Sequence, residues 1–244
     1  MSLASMRGVS FSYGSVRALD NLSLDIQAGA RLGVVGPNGS GKSTLIGLIS
    51  GALQPASGSI LLDDSVHPTR PETAVRHGVA RTFQTPRVVG SRSIMQNVMN
   101  GLLGSTSDRW RSGSAVQRST ELMRAAGISR HARTPASEVP AGVLRLAEIA
   151  RAALMAPRLL LLDEPYAGLS AEECDGVASV VKLAAERQPD LAVLVIDHDY
   201  RRLTQETQEV VLLVAGTLAW RGPAGELDAS REFREGYLPG GSAI

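Results

Sequence analysis

Apolar residues along the chain fall into short compact runs separated by polar, turn-forming stretches. Val9 to Tyr13 and Leu22 to Ile26 alternate between apolar and polar positions, with turn formers between them, which predicts an antiparallel pair of strands. Arg31 to Val35 is a compact apolar run of the kind that becomes a strand buried on both faces. A glycine-rich turn follows it, and Ser43 to Ser50 carries a helical pattern. Gly58 to Asp63 predicts a further strand, and Gly78 to Gln84 a short one.

From about Thr85 to Ser137 the texture changes. Ile94-Met95, Val98-Met99 and Leu102-Leu103 recur at helical spacing, and Glu121 to Ala126 forms another amphipathic segment. A long helix is expected from about Val143 to Met155. The strand pattern resumes at Leu159 to Asp163, Leu191 to Asp197 and Val210 to Val214, with a helix over Ala178 to Glu186 between two of them. Strands alternating with helices predict an α/β fold with a mainly parallel sheet. An antiparallel β subdomain precedes it, and a helical subdomain is inserted. The division expected is one domain over 1–244, with a core over 1–84 and 156–244 and the helical subdomain over 85–155. Pro239 to Ser242 is expected to be a frayed, turn-prone end.

Composition narrows the function classes. With 25 Lys+Arg against 24 Asp+Glu the net charge is +1, which lacks the footprint of a protein devoted to nucleic acid. Aromatics at 4% also argue against a stacking surface for single strands. The single cysteine, Cys174, excludes an intramolecular disulfide and fits a reducing compartment; it is expected to be buried or half-buried in a helix, without chemistry. The longest apolar runs, Leu159 to Leu162 and Leu191 to Ile196, are far below the roughly 18–20 residues a helix needs to cross a bilayer. The N-terminus lacks the apolar core of a secretory signal. A cytosolic chain is expected, with a membrane partner left open.

The strongest chemical signal is Gly36-Pro37-Asn38-Gly39-Ser40-Gly41-Lys42-Ser43-Thr44, which fits the G-x-x-x-x-G-K-[ST] phosphate loop between a predicted strand and a predicted helix. Four specified positions recur by chance on the order of once in thirty thousand sites at ordinary residue frequencies. Glycines let backbone N–H groups approach phosphate oxygens, and the following helix turns its positive end to the same anion. Lys42 can bridge the terminal phosphates, and the Ser43 hydroxyl can complete a Mg²⁺ shell.

Leu159 to Leu162 then deliver Asp163 and Glu164 to the carboxyl end of a buried strand, where ligands bind in open α/β sheets. Beside a phosphate loop, Asp163 is expected to hold Mg²⁺ through water and Glu164 to polarise the attacking water; taken alone, the pair would read as a solvated loop opening. Val193 to Ile196 similarly lead to Asp197-His198-Asp199. A lone histidine is more often structural, but its place at a strand's end favours a γ-phosphate sensor. Gln84, between sheet and helical insert, is either a surface amide or a ligand to Mg²⁺ or water.

These motifs, in this order through nearly the whole chain, resemble the nucleotide-binding subunits of ATP-binding cassette transporters. The resemblance implies that Tyr13, followed by Gly14, stacks on adenine; a core aromatic on an edge strand is the alternative. It implies a glutamine loop at Gln84, magnesium and catalytic carboxylates at Asp163 and Glu164, and a switch histidine at His198. Arg81-Thr82-Phe83-Gln84, Glu148-Ile149-Ala150-Arg151-Ala152 and Glu235-Gly236-Tyr237-Leu238 are similar to one branch, which serves uptake of branched-chain amino acids, with urea and short amides as relatives. The branch implies a dimer of such subunits, homo- or heterodimeric, clamping two ATP molecules beneath two membrane permease subunits. The permeases would dock on the helical insert, and a solute-binding protein outside the membrane would act indirectly. The chain would then work on the cytoplasmic face of the membrane.

One motif departs from that pattern. The family's Leu-Ser-Gly-Gly-Gln signature falls on Val139-Pro140-Ala141-Gly142-Val143, where Gly142 alone survives. Pro140 offers neither hydroxyl nor N–H, and Val143 removes an amide. Because each signature serves the partner's phosphate loop, the expectation is an asymmetric pair with one poor site, or a slow homodimer. Ser170 stands where many members have Asp; it either bonds across a dimer interface or caps the following helix. The competing classes are a cassette ATPase that acts away from membranes and another phosphoryl-transfer protein built on the same loop. The first would bring a long coiled-coil insert or a second cassette, and the second would leave Gln84 and His198 unexplained.

Overall fold

The computed structural model describes residues 2–63, 65–66, 70–104 and 114–237. In chain order the elements are β1 (Ser2–Tyr13), β2 (Val16–Gln27), β3 (Arg31–Val35), α1 (Lys42–Ile49), β4 (Ser57–Leu62), β5 (Ser65–Val66), α2 (Pro71–Arg76), β6 (Val79–Arg81) and α3 (Ile94–Met99). They continue as α4 (Ser114–Ala125), α5 (Ala141–Leu154), β7 (Leu159–Asp163), α6 (Ala171–Arg187), β8 (Ala192–Ile196), α7 (Tyr200–Glu206), β9 (Glu209–Val214), β10 (Thr217–Pro223) and α8 (Arg231–Gly236). The described residues of 1–77 and 192–244 form one compact unit, and those of 78–191 form another. Pro239 to Ser242 lie outside the described residues.

The first unit contains two strand groups. An antiparallel sheet runs in the order β2-β1-β4-β5. Its pairing starts already at Ser2, well before the predicted Val9, because Leu3, Ala4 and Met6 are buried and Ala4 pairs with Leu62. In the second group β3 lies parallel to both β8 and β9, and β10 closes the edge antiparallel to β9. β3 occupies the residues that its apolar run predicts, and β8 and β9 match theirs to within a residue or two at each end. Leu32, Val34 and Val35 of β3 are buried with Val193 to Ile196 and Val210 to Leu213. Strands with no solvent face select continuous Val/Ile/Leu runs rather than alternation.

In the second unit β6 pairs in parallel with β7, which is buried at each of its 5 positions. The predicted strand over Gly78 to Gln84 is real only from Val79 to Arg81, plus one further ladder bond from Thr82 N to Leu161 O at 2.9 Å. Around this pair α5 packs against α3, α4 and α6, its inner face formed by Leu146, Ala147, Ile149 and Ala150. The alanines let neighbouring helices come close.

The helix predicted over Ala178 to Glu186 starts earlier, at Ala171. Ser170 Oγ accepts from Glu173 N at 3.3 Å, and Glu173 Oε2 accepts from Ser170 N at 2.9 Å, a reciprocal cap that fixes the helix start. Cys174 is buried on this helix, as expected. The elements absent from the sequence reading are α2, β5, α7, β10 and α8. Leu203 is the buried residue of α7 and Phe233 that of α8, too few for an apolar period, while β10 is a half-exposed edge strand.

A steric constraint in the first unit is testable. A Cβ on Gly33, mid-way along β3, would collide with the Leu203 side chain of α7. Gly33→Ala should destabilise the protein by about 1–3 kcal/mol in chemical denaturation. Leu203→Ala, which creates a cavity alone, should recover part of that loss in the double variant. Strictly additive effects would contradict the packing described.

Candidate active site

β3 ends at Val35, and the chain turns through Gly36 to Gly41 into α1. A Cβ on Gly36 would run into Leu213 O and Ser40 Oγ, and one on Gly41 would meet Ala18 O at 2.5 Å. Gly41 is also the N-cap of α1 with φ of 102°, a conformation that other residues rarely adopt. Lys42 Nζ donates to Gly36 O at 2.6 Å and Pro37 O at 2.9 Å, so the ammonium is drawn over the loop. The N-terminus of α1 has no side-chain cap and no acidic residue in its first turn, which leaves its positive end to an external anion. Ser40 Oγ is buried without a hydrogen-bond partner, and the Ser43 side chain is exposed. The loop thus fits a polyphosphate: a Cβ-free cradle, a cation, an open helix end and an unsatisfied hydroxyl.

Two other expected residues belong to the same unit. Tyr13 is 55% exposed, with its ring edge-on to Phe11 at 4.9 Å, so it is not a core aromatic. His198 follows β8 and is also exposed, its Nδ1 3.5 Å from Oδ1 of the buried Asp197. The same Asp197 oxygen accepts from Asp199 N at 2.9 Å, which ties down the turn after the strand.

The remaining expected residues lie in the second unit. Asp163 is the last residue of β7 and is buried, and Glu164 follows it in a left-handed conformation with φ of 49°. Burial pushes the Asp163 carboxyl above the usual carboxylate range, while Arg81, whose Nη2 is 3.3 Å from Oδ2, pulls it back. Gln84 Nε2 donates to Glu164 Oε2 at 3.2 Å, so these two expected residues meet. Among the described residues no cluster of three or more His, Cys, Asp or Glu could hold a metal ion.

The sequence reading missed what holds Gln84. Glu148 on α5 has a fully buried side chain that accepts from Arg87 N at 2.9 Å and Phe83 N at 3.4 Å. Arg145 donates to the carbonyls of Phe83 and Gln84, and Arg151 donates to that of Arg87. Both arginines lie beside Glu148, at 3.8 and 3.2 Å. Phe83 has the Arg81 guanidinium 5.0 Å and the Arg87 guanidinium 3.9 Å from its ring centre. Burial raises the Glu148 pKa, opposed by the loop amides and the two arginines. Glu148 and Arg151 stood in view within the Glu148 to Ala152 stretch; their target, main-chain atoms some 60 residues upstream, left no trace in the sequence pattern.

The signature segment opens α5. Pro140 is its N-cap and makes no side-chain hydrogen bond, and Val143 is buried. A Cβ on Gly142 would strike the Glu173 carboxylate of α6. Ser170 acts as the helix cap described above, one of its two expected roles.

An α/β chain with a phosphate loop, a strand-end acidic pair and a glutamine tied to it has the parts of a nucleotide-hydrolysing cassette. The ABC transporter family model matches residues 19–167, more than half of the chain, which therefore belongs to that family and is one of its ATP-binding, ATP-hydrolysing subunits. The chain is 27% identical to the high-affinity branched-chain amino acid transport ATP-binding protein LivG of Escherichia coli K12, covering 97% of both chains. It is 27% identical to the corresponding protein BraF of Pseudomonas aeruginosa over 95% of both. Among solved structures it resembles the ADP conformation of MJ1267, an ATP-binding cassette of an ABC transporter, with a TM-score of 0.83, 23% identity, and 97% and 98% of the two chains covered. No helix among the described residues is long and apolar enough to cross a membrane.

Removing one partner of a buried charge network leaves the others unsatisfied. Glu148→Ala should lower stability by about 3–5 kcal/mol, and amide exchange should accelerate at residues 83–87 before it does so in β7. Unchanged protection in that loop would show that it is held by other means.

Proposed function

We propose that this chain is the ATP-hydrolysing subunit of an importer for branched-chain amino acids or related small amides. The observation that carries the reading is the match to LivG and BraF over nearly the full length of both partners in each comparison. The motif order, from the phosphate loop to His198, supports it. A cassette ATPase working away from membranes, or another phosphoryl-transfer protein, gains nothing from these likenesses.

In this reading Tyr13 stacks on adenine, and the loop from Gly36 to Thr44, through the backbone N–H groups of all its residues but Pro37, holds the β- and γ-phosphates together with Lys42. Ser43, Asp163 and Gln84 would hold Mg²⁺, Asp163 through water; when bound, the ion neutralises charge on the β- and γ-oxygens. Glu164 orients a water and accepts its proton as the water oxygen bonds to the γ-phosphorus. The bond to the β–γ bridging oxygen breaks, giving ADP and inorganic phosphate. His198 senses the γ-phosphate from its exposed place after β8. The Gln84–Glu164 hydrogen bond supports a role for the glutamine in setting the catalytic carboxylate.

The partners proposed are two membrane permease subunits and a second ATP-binding cassette, with a solute-binding protein acting indirectly. The chain would lie on the cytoplasmic face of the membrane, docked through its helical insert over 85–155. Its uncapped, proline-led α5 supports a partner cassette that brings its own intact signature. Each charge-assisted hydrogen bond lost at this segment is worth on the order of 1.5–3 kcal/mol to the partner's γ-phosphate.

The assembled transporter in vesicles should show ATPase activity stimulated by a branched-chain amino acid or small amide, and stimulation by neither would refute the solute class. Glu164→Gln should lower kcat about 10²–10⁴-fold while ATP binding persists. In a preparation of this chain alone, Pro140→Ser combined with Val143→Gln should raise the hydrolysis rate. An unchanged rate would mean that the departed signature is not what limits turnover.

A further inference from the structure

The stretch after β8 that carries His198 is anchored from the far end of the chain. We infer that Tyr237 is a positioning residue for His198, acting through the histidine's own carbonyl; the inference rests on the proposed role of His198 in hydrolysis. Tyr237 Oη donates to His198 O at 2.8 Å, across 39 positions of sequence. The same carbonyl accepts from Tyr200 N at 3.1 Å, so both hydrogen-bonding directions of this oxygen are used. At the other end of the same peptide unit, Asp199 N donates to Asp197 Oδ1 at 2.9 Å. His198 lies in no helix or strand, and these bonds set the peptide plane from which its exposed side chain departs.

The donor is itself held firmly. The Tyr237 ring stacks on Phe233 at 5.0 Å with an interplanar angle of 22°, and Phe233 is fully buried beneath α8. Tyr200 meets both rings edge-on, at 4.9 Å to Phe233 and 6.1 Å to Tyr237. Three aromatic rings from α7, α8 and the residue after α8 thus form a fixed post, and the hydroxyl at its tip reaches the histidine's main chain. Burial and the nearby carboxylates of Asp197 and Asp199 raise the Tyr237 pKa, which keeps the phenol protonated and able to donate.

Tyr237→Phe keeps the stack and removes only the donor. In the full chain assembled with its partners, kcat for ATP should fall about three- to tenfold, with KM for ATP within about twofold of the parent. In a His198→Ala background, followed by single-turnover hydrolysis, the same substitution should have no further effect. An unchanged kcat for Tyr237→Phe in the parent, with His198→Ala strongly impaired, would overturn the inference while leaving the role of His198 standing. Equal losses in both backgrounds would also overturn it, since Tyr237 would then act on the fold and not through the histidine. Full activity of His198→Ala would overturn the proposed role of His198, and the inference with it.

Discussion

The dryness of three short strands governs the rest of this molecule. β7 and β8 are buried at all 5 of their positions, and β3 at the last 4 of its 5. An unpaired polar group inside such a strand would cost about 1–3 kcal/mol on protein mutational scales, so polar chemistry is forced to the ends. It emerges there each time: the glycine turn and Lys42 after β3, Asp163 and Glu164 at the end of β7, Asp197 and His198 after β8. In parallel α/β sheets the carboxyl ends are also where ligands bind, so the rule that builds the core accords with the roles expected of these residues.

Where a charge does enter the interior, it is heavily compensated. Glu148 sits on the buried face of α5, with two backbone amides and two guanidinium groups around it. These groups offset a desolvation penalty of several kcal/mol. They also make the path of residues 83–87 depend on the helix that opens with the signature segment. The backbone that carries Gln84 is therefore held by long-range polar contacts and not by regular secondary structure, which stops at Arg81.

The legible parts of the sequence were those in which one physical requirement dominates several adjacent residues. Continuous apolar runs marked β3, β7, β8 and β9, and four specified positions marked the phosphate loop. Helices with a single buried residue, α7 and α8, gave no period to read, and β10 is an edge strand with no clean alternation. Ser170 and the acidic turn after it were legible as a cap, one of two roles open to that serine, whereas the apolar pattern of the helix shows only from Ala178. In the candidate site the residues of the motifs were legible, and their supports were not. Arg145, Glu148 and Tyr237 act on main-chain atoms, and an arginine or tyrosine reaching a distant carbonyl has no sequence signature of its own.

The Glu173 carboxylate beside Gly142 bears on how this signature segment could diverge. A larger residue there would have to push aside the end of that side chain, which the helix cap holds through Ser170 N at 2.9 Å, so glycine suits the packing of α5 on α6 whatever the loop in front of it does with phosphate. Pro140 makes no side-chain hydrogen bond and Val143 is buried, so neither supplies a polar group at its position. A surviving glycine in an eroded motif can therefore be a fossil of packing, and its presence alone is poor testimony that the motif still works.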